Sequence, residues 1–61
     1  GLVTMQTQAT ETESEFETYC EALASEGYKL SQESRFPGEY RMAVYHHPYD
    51  GDLVQVEWDS Y

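Results

Sequence analysis

Basic residues are scarce in this chain. Three arginines and lysines, with Lys29 the only lysine, stand against 12 aspartates and glutamates, which leaves a formal net charge of −9 over 61 residues. A surface of that sign is repelled by nucleic-acid phosphates and by anionic lipid headgroups. Direct binding to nucleic acid or to a membrane is therefore not expected, and a basic protein surface is the natural partner. Cysteine is nearly absent as well. Cys20 alone cannot close an internal disulfide, and because small secreted domains usually rely on several such staples, the expected compartment is a reducing cytoplasm. Long apolar runs are missing: the longest, Met42 to Tyr45, falls far short of the roughly 20 residues of a membrane helix and of a signal-peptide core.

What the chain has in quantity is aromatic. Fifteen percent of its residues are Phe, Trp or Tyr, six of them tyrosine, too many for a disordered acidic tail. A single small domain over residues 1–61 is expected. A domain of this size buries only about 60% of the surface its unfolded chain exposes, so a thin core and a partner, or a second copy of itself, belong to the expectation.

Residues 1–9 alternate weakly, with Val3, Met5, Thr7 and Ala9 on one side, and predict a strand. Thr10, Thr12 and Ser14 are each followed three residues later by glutamate, giving three overlapping capping boxes that announce a helix over 13–26. Phe16, Tyr19, Cys20 and Leu23 fall at i, i+3, i+4 and i+7, one apolar stripe. Gly27 stands where a left-handed residue closes a helix, with Tyr28 placed to touch Leu23. Beyond Gly27 the period changes to two, predicting strands over 28–36, 39–47 and 53–59, with turns at Pro37-Gly38 and at "HPYDGD", 47–52. The fold class expected is α+β: a two-layer sandwich of one helix on a small, mainly antiparallel sheet, in the order β-α-β-β-β.

Charge suggests a register for the first hairpin. Setting Arg35 against Glu39 places Glu33 opposite Arg41 and Leu30 opposite Val44, whereas a two-residue shift sets Arg35 against Arg41. The first register is the expected one. It puts Met42 and Val44 toward the helix, with Arg41, Ala43, Tyr45 and His47 on the outer sheet face. The expected core is then Phe16, Tyr19, Cys20, Leu23, Tyr28, Leu30, Met42, Val44, Val54, Val56 and Trp58. The stretch "EALASEGYKLSQESRF" with its hairpin return resembles small uncharacterised microbial domains whose helix ends in leucine, then Glu-Gly and an aromatic residue. That resemblance implies the same fold and brings no catalytic residue with it.

Candidate chemistry is sparse. His46 and His47 are neighbours in a strand and point to opposite faces, and Asp50 and Asp52 lack the spacing of a calcium loop. His47, Asp50 and Asp52 therefore read as a solvated turn, and no metal or other cofactor is expected. Cys20 sits on the apolar stripe among glutamates, where a thiol behaves as a small hydrophobe. No phosphate-cradling loop or nucleophile-base spacing occurs, so the chain is not expected to be an enzyme. The acidic helix says more. Glu13, Glu17 and Glu21 follow one another at i+4, roughly 6 Å apart along the axis, with no basic residue in the helix to offset them. With Arg41, Tyr45 and His47 on the outer sheet face, they form the expected partner-binding set. The function expected is a non-enzymatic acidic interaction module for a basic protein surface, in its sharpest form an inhibitor that mimics nucleic acid. The alternative is a structural domain from a salt-loving organism, acidic for solubility and self-associating, for example as a homodimer.

Overall fold

The computed structural model describes residues 5–61. It contains strand β1 (Met5–Thr10), helix α1 (Glu13–Ser25) and strands β2 (Lys29–Phe36), β3 (Tyr40–His46) and β4 (Leu53–Asp59). The helix packs on one face of a four-stranded mixed sheet, the α+β sandwich and element order that the sequence predicts. Part of the expected first strand, residues 1–4, lies outside the described residues.

Of the three capping boxes, the second is used. Thr12 keeps an extended backbone (φ −128°, ψ 156°), and its hydroxyl accepts the Glu15 amide at 3.1 Å, which satisfies one of the orphan donors of the first turn. At the other end Gly27 turns left-handed (φ +97°), and the Tyr28 and Gly27 amides donate to the Leu23 and Ala24 carbonyls at 3.0 and 3.1 Å. This is the paired bonding of a Schellman ending, and it forces the chain out of the helix and into β2.

The sheet runs β1-β4-β3-β2, with β1 parallel to β4 and the other neighbours antiparallel. The two strands that flank the helix in sequence thus lie at opposite edges, and α1 crosses the two hairpin strands between them. Phe16, Leu23, Ala43, Val54 and Val56 form the core under the helix, with Tyr19, Cys20, Tyr28, Tyr45 and Trp58 partly buried around it.

Two expectations about the first hairpin are overturned together. Arg35 pairs with Arg41 and Glu33 with Ala43, which is the register that charge alone disfavours. The turn explains part of this. Phe36 remains extended at the end of β2, Pro37 and Gly38 occupy the two central positions, and the Glu39 amide donates to the Phe36 carbonyl at 2.9 Å with Gly38 at φ +74°. Such a turn, with proline first and a left-handed glycine second, leaves the residue before proline in the conformation it prefers. The anticipated penalty of facing arginines is also removed, because the Arg41 guanidinium is drawn away to the helix, as described below.

The sense of the sheet faces is reversed as well. Arg41, Ala43 and Tyr45 lie across from Trp58, Val56 and Val54 and face the helix with them. Met42 and Val44, expected beneath the helix, lie on the opposite face, although Val44 is buried there by its strand neighbours. A bulge at Ser31 moves the alternation of β2 by one, so Leu30 shares the helix side yet stays half exposed at the edge. β4 is the unambiguous amphipathic strand, and the 47–52 turn locks β3 to it: the His47 amide donates to the Asp52 carbonyl and the Gly51 amide to that of His47, both at 2.9 Å. Once that register is set, β3 must present Ala43 to the helix. The alanine has no bulk to hold α1 away.

No element covers the other face of the sheet among the described residues. Phe36 (58% exposed) and Met5 (49% exposed) lie at its edges, with Tyr40, Met42 and Leu53 half-buried between them.

Candidate functional site

The helix side of the sheet holds the strongest grouping of charge. Positions 13 and 17 of α1 stand one turn apart above the start of β3, and Arg41 rises from that strand to meet them. Its Nη1 donates to Glu17 Oε1 at 2.8 Å and to Glu13 Oε2 at 3.3 Å. Beneath, the Arg41 guanidinium carbon sits 4.7 Å from the centre of the Phe16 ring, itself 2% exposed. The cation is therefore held by two carboxylates and by an aromatic face at once. Desolvation pulls the Arg41 guanidinium toward neutrality, but the hydrogen bonds and charges of Glu17 and Glu13 outweigh it and hold its pKa above the ordinary value.

Next to this pair a shallow groove of about 250 Å3 runs along the helix, lined by Glu17, Cys20, Glu21, Glu33, Arg41 and Tyr45 over Phe16. Cys20 and Tyr45 both line its floor. Burial raises the Cys20 pKa, with the neighbouring Tyr45 hydroxyl pulling the other way. The Tyr45 hydroxyl is pushed up to about 12, first by burial and then by Cys20. Neither group is primed as a nucleophile or base at neutral pH. Three carboxylates against one guanidinium leave the lining negative, and Glu21 and Glu33 have no cationic partner among the described residues.

Five of the six residues expected to bind a partner come together here: Glu13, Glu17, Glu21, Arg41 and Tyr45. They do so on the helix side, so the expectation that Arg41 and Tyr45 decorate the outer sheet face is corrected. His47 does not join them. Its ring packs edge-on against Tyr28 with centroids 5.1 Å apart, and its Nδ1 accepts the Tyr49 and Asp50 amides at 3.3 Å in the turn. Glu33 is the residue the sequence reading left out of the set. The alternation of β2 and β3 does put it on the same face as Arg41 and Tyr45; reversing the sense of that face brings all three under the helix edge.

Among the described residues no three His, Cys, Asp or Glu side chains converge to hold a metal ion, and no helix is long and apolar enough to cross a membrane. The chain matches no family model, no curated protein and no solved structure.

Proposed function

We propose that this chain is a non-enzymatic acidic interaction module that takes a lysine or arginine side chain of a basic protein into the groove between α1 and β2. The observation that supports this reading is Arg41 itself. The helix already holds one guanidinium between carboxylates and over an aromatic ring. Glu21 and Glu33 offer an adjoining pair of carboxylates with no cationic partner among the described residues. An incoming cation there gains charge-assisted hydrogen bonds at a surface the overall charge already favours. The same geometry weakens phosphate mimicry as the mode of binding, because two of the three glutamates in the i+4 row are engaged by Arg41.

The test is titration with an arginine-rich peptide, followed by amide chemical shifts at about 0.05 and about 0.5 M salt. Shifts should concentrate on Glu21, Glu33 and Tyr45. A Glu21→Gln/Glu33→Gln variant should bind about tenfold more weakly, whereas the charge-matched Glu11→Gln/Glu26→Gln variant should lose far less. Equal losses in both variants would reduce the interaction to net charge and remove the groove from the account.

A further inference from the structure

The uncovered sheet face carries a pattern independent of the groove. With the strand pairings as the grid, Phe36 and Tyr40 lie together at one end of β2 and β3, and Met5 and Leu53 at the opposite end of β1 and β4. Met42 and Val44 join them along β3, so the large apolar residues form one stripe running from corner to corner. The charges of the face lie off this stripe, in the two remaining corners. Glu57 and Asp59 occupy one, on β4; Lys29 occupies the other, where β2 begins beside the imidazole of His46 at the end of β3. Of the 12 acidic residues in the chain, the strand alternation brings only these two to this face.

We propose that the open face is a self-association surface on which a second copy of the chain stacks sheet to sheet about a two-fold axis lying along the apolar stripe. Such an axis lays each stripe on its mate. It also exchanges the off-stripe corners, so that Lys29 and His46 of one copy meet Glu57 and Asp59 of the other, twice over. Self-complementary charge of this kind is what a two-fold interface needs. On a sheet of four strands about 4.8 Å apart and seven residues of about 3.3 Å each, the diagonal lies roughly 40° from the strands, so the two sheets cross at about 80°, close to the orthogonal class of sheet packing.

Charge selects a second copy over a foreign partner. The remaining acidic residues sit on the helix, its flanks, the helix side of β2 and the turns, and stacking turns them outward. The sheets lie about 10 Å apart and the helices farther still, beyond the roughly 8 Å screening length at physiological salt, so two copies of net charge −9 approach without confronting their acidic faces. A basic partner, by contrast, is drawn to the helix side. The footprint of about 19 by 23 Å amounts to about 440 Å2 per copy, or about 900 Å2 in all, which places the dimer in the weak, concentration-dependent class.

The experiment is sedimentation of the full chain from about 10 μM to about 1 mM at about 0.15 M salt. The mass should climb from 7.1 kDa toward twice that value. Met42→Lys, and separately Phe36→Ser at an already exposed position, should each raise the dissociation constant at least about tenfold while the far-ultraviolet circular dichroism stays unchanged. Lys29→Glu and Glu57→Lys should each weaken the dimer, and the double exchange should recover it. A chain that remains at 7.1 kDa throughout, a dimer indifferent to both stripe variants, or a double exchange no tighter than its single parents would overturn the proposal.

Discussion

Arg41→Met tests the central claim about how this small fold is held, because it removes the guanidinium while keeping an apolar stem over Phe16. The Glu13 and Glu17 side chains are 36% and 59% exposed, so their ion pairs with Arg41 are screened, and together they contribute about 1 kcal/mol. The guanidinium over the buried Phe16 ring contributes about 1 kcal/mol more, since Arg41 itself is only 12% exposed. Left unneutralised, Glu13 and Glu17 repel at i+4 by a few tenths of a kcal/mol. The loss is therefore about 2 kcal/mol, in a domain whose whole stability is about 3 to 9 kcal/mol by the per-residue average. With an unfolding entropy near 2.1 cal/mol/K per residue, this corresponds to a fall in Tm of about 15 °C. The assay is a thermal melt followed by circular dichroism at about 0.05 and about 1 M salt. The variant should also regain more Tm with salt than the parent does, because salt screens the exposed carboxylates it leaves behind. A variant melting within about 3 °C of the parent at low salt would refute the clamp.

Three further outcomes follow from the packing. Leu23→Ala opens the core at a residue 6% exposed and should cost about 2 to 5 kcal/mol, read from urea denaturation; a melting point within a degree or two of the parent would contradict the core assignment. Folding raises the Tyr45 pKa above its ordinary 10.0, to about 12, so this tyrosine's contribution to stability is fully present below pH 10 and is lost as pH climbs through about 12. The denaturation midpoint should fall across that window, and Tyr45→Phe should show a smaller fall. Gly38 sits at φ +74° with no atom within 4 Å of an added Cβ, so Gly38→Ala should cost about 1 to 2 kcal/mol of backbone strain alone, and Gly38→Asn clearly less, measured by the same melts.

Local rules made much of the fold legible. The capping boxes and Gly27 bracket the helix because caps and left-handed closures depend on residues a few positions apart, and the bounds observed, Glu13–Ser25, differ from those expected by one residue. Val54, Val56 and Trp58 announce β4 for the same reason: an amphipathic strand facing one layer alternates by itself. The candidate site was legible as a set and not as a place. Glu13, Glu17 and Glu21 share a helix face by their spacing, and Glu33, Arg41 and Tyr45 share a sheet face by theirs.

Tertiary structure decided which way the sheet face points. Charge pairing within the hairpin favoured facing Arg35 with Glu39, but that rule sees only β2 and β3. The actual register answers to Phe36 before Pro37, to the helix glutamates that take Arg41, and to β4, whose alternation β3 must share. Strand order has the same character: nothing local says that β1 runs parallel to β4 at the far edge. Period, caps and turns are set by neighbours in sequence, so the sequence by itself determined them. The sign of a face and the neighbours of a strand are set by energies summed over the whole sheet, and only the folded chain makes that sum.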